Sequence, residues 1–460
     1  MKKTIFISLI ASALFAGVTP TNDVSFVKIY SDKDTQSSIV ATVSANKGNL
    51  VKKRCLTNRT AQRWCKVDYV YRDLTLHGYV KEEALLAMYA VPNTNSTFET
   101  TYGGRYDDVA NSVIKTDGGF LLAGYTDSFG HGRSDAYVIK IDEFGNKIYS
   151  LALGGDSEDV ANAVVELDDS YVLAGYTRSF GNGVESFYMA KFLKNGDFSW
   201  QRGFYSDKDD YYRARDMVKI SPTNMLLAGY ENHVKFFNSE TNIYLNAINS
   251  DGVRNGIKRY GGDKIDEANS IINVADGYVV AGMTRTWGHG GEDAYVIKLD
   301  KNGNRIWHNA FGFSYDEVAN QIIQTSDGGY ILVGTTDSSI RDQQNIYVVK
   351  MNANGGREWQ GHYGSREDEE GFGIVEVDDG YVIAGYTKDT KSYSSDVYLM
   401  KLSKNGNVMW DKKYGLDKDD GAKAIVKTKD GFLVVGYQTS LESYSKDVYI
   451  LKVNNQGNIE

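Results

Sequence analysis

Asp117-Gly118-Gly119-Phe120-Leu121-Leu122-Ala123-Gly124-Tyr125-Thr126 is one of seven near-copies of a single phrase in this chain. The Asp-Gly-Gly turn supplies positive φ, and the apolar run behind it is a strand ending on a further glycine. That glycine recurs at Gly124, Gly175, Gly229, Gly282, Gly334, Gly385 and Gly436, with successive separations of 51, 54, 53, 52, 51 and 51 residues. Repetition at this period predicts one supersecondary unit copied seven times.

Outward from the phrase, the first copy divides into four strands: Ala110–Ile114, Phe120–Tyr125, Ala136–Ile141 and Lys147–Leu153. A second glycine turn, Asp142-Glu-Phe-Gly145-Asn146, joins the last two. Successive hairpins of four antiparallel strands describe a propeller blade, which buries its faces against its neighbours around a ring. Composition agrees: 47 Gly and 33 Tyr against only 3 Pro favour strands and tight turns. The fold expected is all-β, with a seven-bladed propeller over residues 98–460. A strand-four phrase follows most blades, as in Trp200–Ser206, Trp307–Phe313, Trp359–Ser365 and Trp410–Leu416. Its first copy, Phe98–Gly104, instead precedes blade one, and none follows blade seven. Residues 98–104 are therefore expected to complete the last blade and leave no open edge.

These phrases, with the following Asp-x-Tyr-Val-x-Lys and a Gly-Asn turn before Trp, resemble a widespread bacterial propeller repeat. The resemblance spans about 360 residues. It implies architecture and a scaffolding role, and assigns no activity.

At the amino end, Lys2 and Lys3 precede an apolar run from Ile5 to Ala16, too short for a membrane span and suited to an export signal over residues 1–17. Leu14-Phe15-Ala16-Gly17 is similar to the approach to a lipoprotein cleavage site, but Val18 stands where lipid attachment needs cysteine. A soluble exported product, periplasmic or at the cell surface or secreted, is expected, with no transmembrane segment elsewhere. Residues 24–88 alternate in five short strands. The segments Trp64-Cys-Lys-Val67 and Gly78-Tyr79-Val80, followed by Leu85 and Leu86, resemble the bacterial SH3-like domain. That resemblance implies binding to peptidoglycan or peptides near the cell wall. Cys55 and Cys65 are the only cysteines, and in an exported chain they are expected to form a disulfide worth roughly 2–3 kcal/mol, the alternative being two buried thiols. Residues 89–97 lack apolar periodicity and are expected to be a linker.

Several positions recur in register. A strand-three tyrosine occurs at 137, 188, 244, 295, 347, 398 and 449, and a lysine three places later in six copies, both as expected for packing. Asp108, Asp159, Asp266, Glu317, Glu369 and Asp420 share a place on strand one, where blade three has Tyr212. With strand one innermost, these carboxylates would ring one channel mouth and could hold a cation or basic peptide. Alternatively, each accepts hydrogen bonds from turn N–H groups. Blade three departs most from the pattern, and Tyr212, Arg213 and Arg215 form a candidate recognition patch.

A net charge of -9, with 51 basic and 60 acidic residues, provides no field for a nucleic-acid backbone. No phosphate loop, serine elbow or zinc helix occurs, and the six histidines show no metal-ligand spacing. The expectation is a monomeric, cofactor-free binding protein for a protein partner or a cell-wall glycan or peptide. The alternative is a carbohydrate-active hydrolase or lyase using the strand-one acids as general acid and base.

Overall fold

A computed structural model describes residues 26–30, 39–44, 49–57, 63–71, 74–81 and 96–459, apart from 182, 205–209, 234–239, 338–342 and 390–393; of residues 26–81 it describes the backbone alone. The chain divides into two compact units, one ending at Asn93 and one beginning at Thr94.

The first unit contains β1 (Phe26–Tyr30), β2 (Ile39–Ser44), β3 (Asn49–Thr57), β4 (Arg63–Tyr71) and β5 (Leu74–Lys81), in the sheet order β2-β1-β5-β4-β3. Cys55 lies opposite Cys65 in the antiparallel β3–β4 register. The SH3-like assignment of residues 24–88 and the expected disulfide turn on side chains and loops outside the described residues, as do the export segment 1–17 and linker residues 89–95.

The second unit contains, among the described residues, seven four-stranded antiparallel sheets, one per blade. Blade one runs Asp108–Thr116, Gly119–Thr126, Asp135–Ile141 and Lys147–Leu153. The last blade is completed by β6 (Phe98–Tyr102), whose Phe98 pairs with Lys452 and Tyr102 with Val448. The expected closure is thus observed. Tyr102 Oη also donates to Gly145 O of blade one at 2.6 Å, tying the closing strand across the seam.

Seven buried apolar clusters hold the ring, each shared by two consecutive blades. The cluster between blades seven and one unites Phe98, Val113, Leu122, Leu433 and Ile450. Tyr188, Tyr295, Tyr347 and Tyr449 are essentially inaccessible, so the recurring strand-three tyrosine is packing. The lysine three places on lies along the blade with its ammonium satisfied: Lys350 bonds Asp327 and Glu358 at 2.9 Å, and Lys401 bonds Asp379 at 2.8 Å.

Strand one carries a β-bulge in every blade, immediately after Ala110, Ala161, Ala214, Ala268, Ala319, Gly371 and Ala422. The bulge explains the glycine that defines the repeat. It pushes a strand-one carbonyl over strand two, and a Cβ on Gly124, Gly334 or Gly436 would land on the oxygen of Val109, Val318 or Gly421. Strand one of each blade lies beside strand one of the next, around to blades seven and one, so these strands wall the central channel.

Candidate interaction surface

In antiparallel blades, the loops joining strands two to three and four to one share one face of the ring. The strand-one carboxylates begin there, but they do not open onto a channel mouth: Asp108, Asp159, Asp266, Glu317 and Asp420 have no accessible surface, and Glu369 retains 2%. Each closes a clamp within its blade. Asp266 accepts from Gly262 N and Thr286 Oγ1, both at 2.8 Å, and from Thr284 Oγ1. Asp159 repeats this with Gly155 N at 2.8 Å, Ser179 Oγ at 2.6 Å and Thr177 Oγ1. Glu317 accepts from Phe313 N at 2.8 Å and Thr336 Oγ1 at 2.6 Å. One carboxyl thereby fixes the four-to-one loop and the strand-two end. Burial raises the Asp108 and Glu369 carboxyls above their ordinary range despite these donors, and pushes Asp420 up to about 6. Among the described residues no group of three or more His, Cys, Asp or Glu is arranged to hold a metal ion.

In blade three the clamp is inverted. Tyr212, buried to 5%, fills the carboxylate position and packs its ring 5.5 Å from Phe187 and 5.6 Å from Tyr244. The acid has moved to strand two: Glu231 is fully buried, pairs with Arg259, and meets His233 Nε2 at 3.0 Å. Asp210 meets His233 Nδ1 at 3.0 Å. Arg213 is also committed. Its Nη2 donates to Glu185 Oε1 at 2.8 Å, its Nε bonds Glu185 Oε2, and its guanidinium lies 4.4 Å over Tyr176. Arg178 reaches the same Glu185 at 2.7 Å. Burial alone would raise Glu185, yet the two guanidiniums outweigh it and hold the carboxyl below its ordinary range.

Arg215 has a different setting, on the channel wall. The bulged residues form one ring: Asn111, Asn162, Arg215, Asn269, Asn320, Phe372 and Lys423. The asparagines build a ladder around it, Nδ2 of Asn111, Asn162, Asn269 and Asn320 donating to the next blade's Ala161, Ala214, Ala319 and Gly371 carbonyls at 2.8–3.0 Å. Three blades break the ladder. Arg215 lies 5.4 Å over Tyr230, its Nε sealed from solvent without a hydrogen-bond partner. Lys423 Nζ lies 3.7 Å over the Phe372 ring, and burial lowers its pKa to about 8 against the pull of Glu370. This ring is not among the sequence expectations, although the recurring Ala-Asn pair, with its Asn three places after the acid, was its signal.

A second feature outside the sequence expectations is a pocket of 490 Å³ on the loop face where blades seven and one meet. Arg105, Tyr106, Asp107 and Asp127 form one side; Ser443, Tyr444 and Ser445 form the other. Exposed apolar side chains stand on the same face: Tyr106 and Phe129 in blade one, Tyr315 in blade five, Leu416, Leu441 and Tyr444 around blade seven.

No protein-family model matches the chain, and no curated protein is similar to it in sequence. Among solved structures it is similar to Sqt1 from Chaetomium thermophilum, at 11% identity over 78% of this chain and 99% of that one, with a TM-score of 0.43. It is also similar to the polysaccharide lyase Uly1, at 9% identity over 77% of this chain and 93% of that one, TM-score 0.46. An endo-arabinanase from Bacillus licheniformis is similar at 14% identity over 54% and 96% of the two chains, TM-score 0.31. These are likenesses of fold. Among the described residues no helix is long and apolar enough to cross a membrane.

Proposed function

We propose that this chain is an exported, non-enzymatic binding protein whose propeller presents its loop face to a protein or a cell-envelope glycan. One observation carries the reading. The described four-to-one loops at Gly104, Gly155, Gly262, Phe313, Ser365 and Leu416 are fixed from beneath by buried carboxylates, while Tyr106, Phe129, Tyr315, Leu416, Leu441 and Tyr444 stand exposed on that face. Rigid loops carrying exposed aromatic side chains lose little entropy when a partner covers them. The acids a hydrolase would use for proton transfer are instead spent on holding the loops.

The amino-terminal unit, as an SH3-like module, would recruit or anchor the protein at the envelope, in the periplasm or outside the cell. Its facing Cys55 and Cys65 would close a disulfide in an oxidising compartment.

The test is capture by the immobilised full chain from a cell-envelope extract containing peptidoglycan. Retention of a defined protein or glycan, lost when Tyr315, Leu416 and Leu441 are together changed to Ser, is the expected result. Product release from a polysaccharide panel by the wild-type chain would replace this reading with the hydrolase or lyase.

A further inference from the structure

The pocket at the seam of blades seven and one has the chemistry of a sugar subsite. Its outer wall is the loop after strand two of blade seven, over-determined by its own hydrogen bonds. Ser440 N donates to Ser445 O at 2.9 Å, Tyr444 N to Ser440 O at 3.1 Å, and the Ser443 and Ser445 hydroxyls meet at 2.7 Å. This loop holds Tyr444 at a φ of 58°, the one non-glycine residue in the left-handed region among those described. A tyrosine pays steric strain there, and the surrounding bonds enforce the strained conformation instead of relaxing it. The outcome is a tyrosine 70% exposed, with Lys418 Nζ 4.8 Å from the centre of its ring.

The facing wall is held just as firmly. Tyr106 N donates to Ser128 Oγ at 2.9 Å, and the same hydroxyl donates to the clamp carboxylate Asp108 at 2.8 Å, so the first blade's clamp fixes the Tyr106 backbone. Tyr106 is 54% exposed. The polar groups are Asp107, Asp127 and Arg105. Asp107 Oδ1 accepts from Lys446 N at 2.9 Å and Asp127 Oδ1 from Ser134 Oγ at 2.6 Å, leaving each Oδ2 out of these bonds.

We infer that this pocket binds a sugar residue of a neutral glycan, its C–H faces against Tyr106 and Tyr444 and its hydroxyls donating to Asp107 and Asp127 while accepting from Arg105. The volume falls within the roughly 300–1,000 Å³ of ligand sites. The mixture of two carboxylates with a guanidinium and two hydroxyls matches the alternating donors and acceptors of a polyol better than an anion. This inference rests on the binding-protein reading and names the ligand class for one part of the loop face. It also makes binding depend on ring closure, since Tyr106 and Tyr444 come from opposite ends of the propeller sequence.

The experiment titrates the full chain with cellotetraose, chitotetraose and tetralysine by calorimetry. One of the two neutral oligosaccharides is expected to bind, with Tyr106→Ala, Tyr444→Ala and Asp127→Asn each weakening it about tenfold or more. Tyr444→Phe keeps the ring and should keep the affinity. Tyr444→Gly relieves the backbone strain, so it should lose binding while melting no lower than wild type, which separates loss of the ring from loss of the fold. Absence of binding by both oligosaccharides, or affinity indifferent to these substitutions, overturns the inference. Tetralysine binding through the same residues also overturns it, making the pocket a site for basic peptide. Envelope capture that survives Tyr106→Ala with Tyr444→Ala refutes the subsite and leaves the broader function standing.

Discussion

Tyr212 and Glu231 face each other across the first two strands of blade three with the carboxylate on strand two, whereas five other blades place it on strand one opposite a threonine. The exchange keeps one buried acid in the clamp but changes its donors from hydroxyls and loop N–H groups to Arg259 and His233. Glu231→Gln removes the charge those donors answer and should cost about 1–3 kcal/mol, limited because Arg259 is half exposed. Equilibrium urea unfolding measures it, and an unchanged midpoint would mean that the inverted clamp contributes nothing to stability.

His233 follows from the same cluster. Desolvation lowers its pKa, but hydrogen bonds to Asp210 and Glu231 prevail and raise it above its ordinary 6.5. A raised histidine adds stability that is complete below 6.5 and is lost as pH rises through the folded-state value. The His233 ring protons should titrate above 6.5 by NMR, and Glu231→Gln should bring that midpoint down. Titration at or below 6.5 in the wild-type chain would contradict the cluster.

Blade seven carries Gln438 where five blades place a clamp threonine, and Asp420 accepts from Leu416 N and from Thr439 N at 2.9 Å. Burial dominates and carries its carboxyl up to about 6, with Asp396 and Asp419 adding to the rise. Its contribution is therefore complete below 3.8 and is lost as pH climbs through about 6. Asp420→Asn should unfold at higher urea than wild type at pH 7.5 and show a smaller advantage, or none, at pH 4. An advantage independent of pH would mean that the carboxylate is not the cause.

Arg213 and Arg215, two residues apart, should respond differently. Arg213→Ala strips a buried Glu185 of one of its two guanidiniums, for a loss of about 1–3 kcal/mol. Arg215→Met removes a guanidinium whose Nε has no hydrogen-bond partner and keeps a stem of similar length, so its loss, set by the charge withdrawn from the half-buried Glu267, should be the smaller of the two. Paired urea curves decide it, and equal losses would refute the distinction.

Deleting residues 98–102 should leave the last strand of blade seven with a bare edge and remove Phe98 from the seam core. The truncated chain is expected to aggregate on size exclusion. Grafting the five residues after a short linker at the carboxyl end should restore a monomeric elution. A truncated chain that elutes as the wild type would show that closure is dispensable.

Much of this was legible because it is local. The glycine turns, the spacing of Gly124 to Gly436 and the displaced copy at Phe98–Gly104 announce hairpins, blade number and closure without any knowledge of contacts. What stayed hidden depends on partners chosen by the ring. Asp159 reads as an acid at the channel mouth or bound to turn N–H groups, and its bond from Thr177, eighteen residues on, shows only in the folded blade. Arg213 reads as part of a recognition patch until Glu185 of the preceding blade meets it. The seam pocket was beyond reach for a plainer reason: Tyr106 and Tyr444 become neighbours only when the ring has closed, and the left-handed Tyr444 carries none of the glycine or asparagine signals that mark that conformation.

Closure also sets an order of events during synthesis. Glu99 accepts the Tyr449 hydroxyl across 350 residues of chain, and Phe98 waits equally long for its place opposite Lys452. The first strand of the ring to leave the ribosome is thus the last to be seated. Blades one to six can assemble hairpin by hairpin while that strand remains unmated. A product cut short within blade seven keeps an unclaimed strand at one end and an unfinished sheet at the other. The strand Lys446–Asn454 acts as a checkpoint, so that only a chain translated through it can seat Phe98–Tyr102 and become a sealed ring.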